Sequence, residues 1–495
     1  MGQGMREGDT RGGGKLAPVP VSLPGAFDLL ALHATNPGRY PFLLETTTAV
    51  VAVDGKGDDK ADAWDLLFAF PGETLCLGAD WSLEGPGSDL ASRPDFLEAL
   101  DRWWQATSPG AGFGDQDQAA WPPFTGGWFL FLGYELALQI APGLAAACGP
   151  SSQEPGHTPI AFATRVPVAV ARNRRLGQAW VVAEPMHRHL VDEVLVDLRQ
   201  AADQDPARAE ARGLLTTAIH EPDPAFFRQS VDEVRRLIAA GEVYQVNLSR
   251  RWQAELRNGV APAHIHRRLR QSNPAPFAGI ATCGDSTLVS SSPERLARWR
   301  RGRVETRPIA GTVPRGSDPG AEEALRRALL AHPKERAEHI MLIDLERNDL
   351  GRVCTPGSVV VDEYMVVESY AHVHHIVSNV SGQLRDDVTP GELIRAIFPG
   401  GTITGCPKVR CMEIIAGLEP VPRGPYTGSM GYLNLDGSGD LNILIRSFVI
   451  HGTQLSFAAG SGIVADSDPQ HELDETRAKA RGLLLALGNT LPGSA

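Results

Sequence analysis

Residues 428–450 read GSMGYLNLDGSGDLNILIRSFVI and carry the clearest fold signal in the chain. Two runs within this stretch, residues 428–435 and 443–450, are rich in the aliphatic and aromatic residues that favour β-strands. Between the two runs, Asp436-Gly-Ser-Gly has the composition of a tight turn. The pattern predicts a β-hairpin, and therefore an antiparallel sheet in this part of the chain.

Other strand and helix patterns flank this hairpin in blocks, without strict strand–helix alternation. Apolar residues at helical spacing predict helices over residues 227–240, 334–345 and 472–487, and Gly241 follows the first of them where a C-terminal cap glycine belongs. Further strand-like runs cover residues 287–292, 304–308, 358–367 and 372–384. Blocks of this kind predict an α+β fold with large, mostly antiparallel sheets and helices packed outside.

Composition changes along the chain indicate two regions. Residues 1–20 are polar and glycine-rich at their start, which predicts a disordered lead-in. Residues 21–210 alternate apolar runs with turns and form a strand-rich N-terminal region. A stretch rich in alanine and charge, residues 201–225, ends in Pro-Asp-Pro and marks the predicted boundary. Residues 225–488 form the second region.

The overall charge and cysteine content exclude several functions. The 495 residues include 47 Lys and Arg and 59 Asp and Glu, which gives a net charge of −12 and disfavours binding to nucleic acid or membrane surfaces. The 6 cysteines have no metal-binding spacing, which predicts reduced thiols in a cytoplasmic protein. The most apolar segment, residues 126–148, contains Glu135 and Gln139, so we expect a buried helix and not a membrane span.

Two of the predicted helices carry glutamates three residues apart. The pairs are Glu335 with Glu338 and Glu472 with Glu475, and this spacing places both carboxylates of a pair on one helix face. Two interpretations stay open. The carboxylates either pair with neighbouring basic residues in solvent, or one from each helix meets at a hard divalent cation such as Mg²⁺, which prefers oxygen ligands.

A glycine-rich loop precedes a short predicted helix. Residues 398–405 read FPGGTITG, and Cys406-Pro407 leads into a helix over residues 408–415. Free N–H groups at such a helix start can bind an anion. The loop lacks the Lys-Ser/Thr of a nucleotide-binding P-loop, so a nucleotide is disfavoured. A carboxylate ligand or a glycine turn without a ligand are the two interpretations that remain.

Acid–base candidates occur at one strand end and within one strand. Glu294 follows a serine run, and its carboxyl is either an inward-facing acid with a raised pKa or the ion-pair partner of Arg295. His372, His374 and His375 lie in a strand-like run, where alternation places the first two on one face and His375 on the other. One inward histidine acting by hydrogen bonding is favoured over a two-histidine metal site.

These motifs together resemble component I of aminodeoxychorismate synthase and of anthranilate synthase, two chorismate-utilising enzymes. The similar motifs occur in the same order over about residues 225–485, which excludes a chance match. It comprises YQVNLSRR (244–251), NPAPFAG (273–279), SPER (292–295), RPIAGTVPR (307–315), ERAEHIMLIDLERNDLGRV (335–353), HVHHIVSNVSG (372–382), FPGGTITGCPKVRCMEII (398–415), YTGSMGYLNLDG (426–437), NILIRS (442–447) and GSGIVADSDPQHELDETRAKA (460–480). A weaker N-terminal match includes RYPFLLET (39–46) and PFTGGWFLFLGYEL (123–136).

The resemblance implies an anthranilate synthase component I-like fold and assigns roles to the candidate residues. It implies Mg²⁺ held by Glu338 and Glu475, with Glu472 close by, and bound to the ring carboxylate of chorismate. Glu294 would be the general acid that protonates the departing C4 hydroxyl, and His375 matches the family's active-site histidine. The implied substrate pocket consists of Gly311, Thr312, Thr402, Tyr426, Arg446, Gly460, Ser461 and Gly462.

Gln245 indicates the nucleophile. Relatives that add water to chorismate carry a lysine at this position as general base, and an amide cannot deprotonate water. The resemblance therefore implies ammonia as the nucleophile, which needs no activation in its neutral form. A separate glutamine amidotransferase subunit would supply it in trans, because the chain has no G-x-C-x-G nucleophile motif.

The two aminating activities differ in product. Aminodeoxychorismate synthase adds nitrogen at C4 and serves 4-aminobenzoate and folate biosynthesis, whereas anthranilate synthase adds nitrogen at C2 and releases pyruvate. The sequences of residues 244–251, 273–279, 292–295 and 431–447 are more similar to the former enzyme, which is the first hypothesis. Ala310 replaces the covalent lysine of well-known aminodeoxychorismate synthases and keeps anthranilate synthase open. A non-catalytic chorismate- or tryptophan-binding regulatory subunit is a third hypothesis. It is disfavoured because Glu294, Glu338, Glu475 and Arg446 are all present.

The N-terminal region resembles the part of both enzymes that binds tryptophan. The matching residues are Thr46, Pro276, Phe277 and Ala278. Threonine at position 46 stands where relatives have serine, so it keeps the hydroxyl and adds a methyl group. A tryptophan site and a threonine satisfied within a barrel-like core are the two interpretations.

Overall fold

The structure is a computed structural model that describes most of the chain. The described residues are 19–21, 27–47, 51–52, 63–88, 95–108, 121–141, 143–144, 158–202, 213–316, 318–369 and 373–488. The predicted disordered lead-in, residues 1–20, lies outside these ranges apart from residues 19 and 20. His372 also lies outside the described residues.

The strands of the described residues form two large sheets in which every pairing is antiparallel. In chain order they are β1 Val19–Val21, β2 Phe42–Glu45, β3 Val51–Ala52, β4 Trp64–Ala69, β5 Thr74–Leu77, β6 Leu83–Glu84, β7 Gly127–Leu132, β8 Ala161–Val166, β9 Val168–Asn173, β10 Gln178–Ala183, β11 Gln245–Glu255, β12 Phe277–Cys283, β13 Ser286–Ser292, β14 Arg295–Arg300, β15 Arg303–Thr306, β16 Ile309–Pro314, β17 Val360–Ser369, β18 Val373–Gln383, β19 Gly405–Cys406, β20 Ser429–Asn434, β21 Gly439–Asn442, β22 Ser447–His451 and β23 Gln454–Ile463.

Helices connect and cover the sheets. They are α1 Leu29–Thr35, α2 Phe96–Thr107, α3 Ala137–Ile140, α4 Leu190–Ala202, α5 Pro224–Ala239, α6 Pro262–Ser272, α7 Pro319–Ala331, α8 Pro333–Gly351, α9 Pro390–Ile397, α10 Lys408–Leu418 and α11 Pro469–Ala486, with short 3₁₀ turns at Tyr134–Leu136 and Pro185–His187. The helices predicted over residues 227–240, 334–345 and 472–487 are confirmed as α5, α8 and α11. Gly241 follows α5 with φ of 79°, the left-handed conformation of a helix-ending glycine.

Both sheets contain strands from both predicted regions, arranged as contiguous blocks. The first sheet has the order β1-β10-β9-β4-β2-β12-β13-β22-β23-β11-β19, and the second has the order β3-β17-β18-β15-β14-β21-β20-β7-β8-β5-β6, with β16 also paired to β18. The two regions meet where β2 pairs with β12 in the first sheet and where β7 pairs with β20 in the second. The regions 21–210 and 225–488 therefore share both sheets.

A layer of aromatic side chains joins the inner faces of the sheets. Phe42 of β2 stacks on Phe129 of β7 with ring centroids 4.0 Å apart, and Phe68 and Phe162 pack around them. Helices α1, α4, α6 and α11 share a core with the outer face of the first sheet, and α2, α8 and α9 do so with the second. The predicted α+β architecture with helices outside is confirmed.

The predicted hairpin is only half correct. Asp436 begins a turn as expected, but it joins β20 to β21, which ends at Asn442. The strand predicted over residues 443–450 is confirmed only from Ser447 onward, as β22, and it does not pair with β20, because the chain leaves the second sheet before it and enters the first. Arg446 lies in this crossing with φ of 52°, a conformation uncommon for any residue but glycine. The stretch therefore connects the two sheets.

The buried helix predicted for residues 126–148 is also wrong for the residues described. Gly127–Leu132 form β7, whose six residues are all buried, and short helical turns follow at Tyr134–Leu136 and Ala137–Ile140. A strand buried on both faces loses the alternation that distinguishes it from a buried helix. Among the described residues, no helix has both the length and the apolar character needed to cross a membrane.

Candidate active site

Two neighbouring crossings between the sheets form the centre of the candidate site. Glu294 lies between β13 of the first sheet and β14 of the second, and Arg446 lies between β21 and β22. The backbones of the two crossings are joined, since Ile443 N donates to Glu294 O at 3.0 Å and Ser291 N donates to Arg446 O at 3.1 Å. A carboxyl and a guanidinium group are thus held together between the sheets.

Glu294 has the properties of a general acid. Its side chain is buried, and burial raises its pKa to about 7, against the opposing effects of the Thr402 hydroxyl and of the charges of Lys479 and Arg446. The neighbouring Arg295 turns to Asp440, with Nε and Oδ1 3.1 Å apart. A carboxyl with a pKa of about 7 keeps a substantial protonated fraction at neutral pH and can donate its proton to a leaving group.

Arg446 supplies a buried cation that has no ion-pair partner among the described residues. Its guanidinium forms no salt bridge with any residue that the structure describes, although Glu294 lies close enough to favour its charge. Burial lowers the pKa of this guanidinium. A buried cation without a counter-charge is costly, so it is a natural binding point for a carboxylate of a ligand.

His375 lies on the same side as Arg446. Burial lowers the pKa of His375 to about 4, and the charge of Arg446 adds to this, while the backbone of Gly311 opposes it. The imidazole is therefore neutral at pH 7. His374 faces the opposite side, where its Nδ1 lies 2.8 Å from Ser369 Oγ, as alternation along β18 requires.

The strand β16 lies beside His375 in the second sheet. Thr312 is the register partner of His375, and Gly311 before it has φ of 65° at a bulge in the pairing. A Cβ on Gly311 would lie 3.0 Å from Glu335 Oε2, so α8 approaches this glycine closely. Ala310, the position of the covalent lysine in well-known aminodeoxychorismate synthases, directly precedes it.

The opposite wall of the site consists of β11 and β23. Gln245 lies against Gly462, where a Cβ would be only 2.2 Å from Gln245 Nε2. A Cβ on Gly460 would lie 2.9 Å from the Tyr426 hydroxyl and 2.7 Å from Asn247 Oδ1. Both glycines are therefore required by close packing of polar side chains against the β23 backbone.

Several buried polar atoms in this region have no hydrogen-bond partner among the described residues. They are Gln245 Oε1, Asn247 Oδ1, Ser461 Oγ and Glu472 Oε2. Leaving a buried polar atom unpaired costs about 1–3 kcal/mol, so native structures normally pair such atoms. A cluster of unpaired atoms on three separate segments indicates a site that a polar ligand completes.

The predicted metal ligands are brought together in part. On α11, ligand atoms of His471, Glu472 and Glu475 lie within 4.8 Å of one another. Glu338 is half-buried on α8, one turn after Glu335, and is not a member of this group. Helix α8 packs on β16 and β18, whereas α11 packs on β23, so the two helices cover different sheets.

The donor set of α11 fits a hard divalent cation. Carboxylate oxygens are the ligands that Mg²⁺ prefers, and Glu472 Oε2 is buried without a partner. Glu475 is paired with Lys479 at 2.6 Å between Oε1 and Nζ, so a metal would have to replace this contact.

Sequence analysis did not include Lys479 and Asn247 among the site residues. Lys479 Nζ donates to Gly460 O at 3.0 Å, pairs with Glu475 and acts on the charge of Glu294, so it links the metal candidates to the acid. Asn247 lies two residues after Gln245 on the same face of β11. Asn247 could have been identified from the sequence, because alternation along a strand places it on the same face as Gln245. Lys479 is identified only by its tertiary contacts.

The four residues of the predicted tryptophan site line one cavity of about 480 Å³. Thr46, Pro276, Phe277 and Ala278 form one wall, and the remaining lining includes tryptophan rings and several arginines. The Thr46 hydroxyl donates to Pro276 O at 3.2 Å, so it is already used within the protein. Glu294 itself does not line this cavity, although Pro293 and Arg295 on either side of it do.

Comparison with known proteins identifies the family. The family of chorismate-binding enzymes matches residues 81–485. The chain belongs to the chorismate-binding enzymes. The anthranilate synthase component 1 of Pseudomonas aeruginosa is 41% identical over 490 residues, covering 94% of this chain and 95% of that protein. The aminodeoxychorismate synthase component 1 of Bacillus subtilis is 48% identical over 261 residues, covering 53% of this chain and 55% of that protein.

The fold of this chorismate-binding enzyme also matches a solved structure. The crystal structure of anthranilate synthase component I from Streptococcus pneumoniae superimposes with a TM-score of 0.72 at 30% identity, covering 85% of this chain and 92% of that one. The expected anthranilate synthase component I-like fold is confirmed. The similar proteins include both aminating activities, so family membership alone does not distinguish between their products.

Proposed function

We propose that the chain is component I of aminodeoxychorismate synthase, which replaces the C4 hydroxyl of chorismate with an amino group from ammonia. The product would be 4-amino-4-deoxychorismate, a precursor of 4-aminobenzoate and folate. The observation that carries the proposal is that the site contains both a buried carboxyl with a pKa of about 7, Glu294, and a buried amide, Gln245, at the position where a base would be needed to activate water. The high identity to the Bacillus subtilis protein over 261 residues supports this choice of product.

The proposed chemistry balances without an added oxidant or reductant. The lone pair of ammonia forms the C–N bond, the C4–O bond breaks, and the Glu294 carboxyl gives its proton to the oxygen, which leaves as water. The new ammonium group then returns one proton to Glu294, so the acid is restored. Arg446 would bind a carboxylate of chorismate, and neutral His375 would hydrogen-bond the substrate without competing for the proton.

A divalent cation has a defined place in this proposal. Bound Mg²⁺ would neutralise the ring carboxylate of chorismate and orient it. Glu472 and Glu475 would hold it from α11. The resemblance to relatives implies a further ligand, Glu338, from α8. Lys479 would remain beside Gly460 and keep a positive charge near the acid.

Ammonia would come from a separate glutamine amidotransferase subunit in trans. The neutral molecule is the nucleophile, and the ammonium ion has no lone pair to donate. Delivery by a partner protein avoids the need for a high ammonium concentration in solution.

Anthranilate synthase is the second candidate function. Ala310 favours it, because a direct C4 displacement must then proceed without the covalent lysine of well-known aminodeoxychorismate synthases. The match to the Pseudomonas aeruginosa protein over nearly the whole chain also favours it. In that case the cavity of about 480 Å³ around Thr46 would bind tryptophan as an inhibitor.

One assay distinguishes the candidates. The protein is incubated with chorismate, Mg²⁺ and ammonium chloride at alkaline pH, and aminodeoxychorismate lyase is added to half of the samples. We expect 4-aminobenzoate only with the lyase, and no anthranilate. If the samples without lyase instead contain fluorescent anthranilate and an equal amount of pyruvate, the protein is an anthranilate synthase. Chorismate binding without any product would indicate a regulatory subunit.

A further inference from the structure

Arg423 lies in the segment between α10 and β20, and only 3% of it is exposed. A guanidinium has five N–H donors, and all five of Arg423 are used within the protein. The acceptors are both carboxylate oxygens of Glu419, the carbonyl oxygens of Asn247 and Ile403, and the hydroxyl of Thr427. A buried side chain with every donor matched restricts the positions of all the groups that accept from it.

The two carbonyl acceptors of Arg423 belong to different segments of the candidate site. Nη2 donates to Asn247 O of β11 at 2.7 Å, and Nη1 donates to Ile403 O of the glycine-rich loop at 2.9 Å. Ile403 directly follows Thr402, whose hydroxyl hydrogen-bonds the carboxyl of Glu294. One guanidinium therefore joins β11 to the loop that contacts the candidate acid.

Two tyrosine rings lie against the same guanidinium. Cζ of Arg423 is 4.8 Å from the centroid of the Tyr134 ring and 5.7 Å from the centroid of the Tyr426 ring, within the range of cation–π contacts. A Cβ on Gly460 would lie 2.9 Å from the Tyr426 hydroxyl, so the orientation of this ring decides where the hydroxyl lies in the site.

Glu419 anchors the guanidinium to β11 a second time. Its carboxylate accepts from Nε at 2.9 Å and from Nη2 at 2.7 Å, a two-bond geometry that the planar group of arginine allows and lysine cannot form. Oε1 also accepts from the backbone N and the Oγ of Ser249, at 2.9 and 3.0 Å. The ion pair is thus held to the strand that carries Gln245.

We propose that Arg423 is a positioning residue, which holds the Thr402 hydroxyl at Glu294 and the Tyr426 hydroxyl beside Gly460. It acts through these groups and not on the substrate, because none of its donors is left to bind chorismate. The proposal rests on the proposed function, in which Glu294 is the general acid.

The pH dependence of kcat/KM for chorismate in Arg423→Lys tests the proposal, with neutral ammonia kept at one saturating concentration at every pH. In the wild-type protein, we expect activity to fall at alkaline pH as Glu294, with a pKa of about 7, loses its proton. The Thr402 hydrogen bond favours the carboxylate, so its loss should move this fall upward by roughly 0.5–1 pH unit. We also expect kcat/KM to decrease by about 10²-fold, the usual effect of misplaced reacting groups.

The other groups that interact with the charge of Glu294 are unchanged in this variant. They are Lys479 of α11, Arg446 of the neighbouring crossing and Glu346 of α8. Because Arg423→Lys keeps a positive charge, the shift would report the position of Thr402 and not the loss of a charge.

Two further variants separate positioning from general damage. Thr402→Val removes the same hydroxyl directly and should give the same upward shift, with no additional shift when it is combined with Arg423→Lys. Arg270→Lys is the matched control, because this buried arginine is likewise bonded to a glutamate, Glu45. It should lower the melting temperature and leave the pH profile unchanged.

If Arg423→Lys does not fold, Glu419→Gln replaces it in the same assay. This change removes the counter-charge of the guanidinium but keeps an oxygen for Ser249, so a smaller shift in the same direction is expected. An unchanged pH profile in Glu419→Gln would then overturn the proposal.

The outcomes distinguish this proposal from the proposed function. A wild-type protein that binds chorismate but forms no aminated product would overturn both. With an active wild-type protein, an Arg423→Lys variant of lower stability and lower kcat/KM but unchanged pH profile would overturn the positioning role alone. Additive shifts in the double variant would also overturn it, since Arg423 and Thr402 would then act on Glu294 independently.

Discussion

The candidate active site and the cavity around Thr46 both contain buried charged groups. These groups are ion-paired around the cavity, whereas the active site contains a buried cation without a salt bridge among the described residues. Around the cavity, Glu45 is bonded to His266 at 2.8 Å and to Arg270, and Asp65 is bonded to Arg174 at 2.8 Å. In the active site, Arg446 has no salt bridge among the described residues and several amide and hydroxyl atoms are unpaired. Paired charges stabilise the fold, whereas unpaired ones are available to a ligand.

The contrast predicts that similar substitutions in the two regions affect different properties. A buried carboxyl with its partners contributes to the free energy of unfolding, because its removal leaves those partners uncompensated. A buried carboxyl without a salt bridge contributes to catalysis and little to stability. Glutamate-to-glutamine changes in both regions therefore test the comparison directly.

Glu294→Gln should have the largest effect. We expect kcat to fall by about 10²–10⁴-fold, the usual contribution of a general acid, while chorismate affinity changes little. The melting temperature should not fall, because the variant removes a carboxyl whose burial disfavours its charged form. Steady-state kinetics, chorismate titration and calorimetry measure the three quantities. Equal losses of kcat and of chorismate affinity would contradict the role as acid.

Glu45→Gln should have the opposite profile. Removing the charge leaves Arg270 and His266 without their buried partner, so we expect the free energy of unfolding to fall by about 3–5 kcal/mol with kcat retained in the folded fraction. Chemical denaturation measures the change. A loss of kcat without a loss of stability would show that the cavity takes part in catalysis.

The same group makes stability depend on pH. Burial alone would raise the pKa of Glu45, but Arg270 and His266 outweigh it and lower the pKa to about 2, from 4.5 in an unfolded chain. Because the folded-state pKa is the lower one, the contribution of Glu45 is complete above about pH 4.5 and is lost as the pH falls towards 2. Glu45→Gln should flatten the pH dependence of stability in this window.

Glu475→Gln tests the metal assignment and should have an intermediate effect. We expect the Mg²⁺ concentration for half-maximal activity to rise at least about tenfold, together with a weaker increase in melting temperature on Mg²⁺ addition. Asp474→Asn is the matched control, since this neighbour is exposed and paired with Arg477. Glu338→Gln should behave like Glu475→Gln. An unchanged Mg²⁺ dependence in both glutamate variants would remove the proposed metal site.

Thr46→Ala should have the smallest effect. It removes the hydrogen bond to the Pro276 carbonyl, so we expect the free energy of unfolding to fall by about 0.5–1.5 kcal/mol and kcat to stay constant. Thr46→Ser keeps the hydroxyl and should retain most of the stability. A large change in kcat for Thr46→Ala would contradict the separation of this cavity from the active site.

Residues 428–450 illustrate how much of the strand arrangement the sequence pattern could predict. It correctly predicted the turn at Asp436 and the strand before it, because turn chemistry and local composition are contained in neighbouring residues. It did not predict that the following residues divide between β21 and β22, since strand-forming side chains look alike whichever sheet they join. The point of crossing depends on the partner strands, which are distant in the chain.

The sequence by itself determined the α+β class, the main helices of the second region, the family resemblance and the identity of the acid, amide and arginine candidates. Only the tertiary structure decided that two crossings hold Glu294 and Arg446 side by side, and that burial raises the pKa of Glu294. It also decided that Lys479 and Asn247 join them. The physical reason is that residue type specifies what a side chain can do, whereas burial and proximity to distant segments set its charge and its partners.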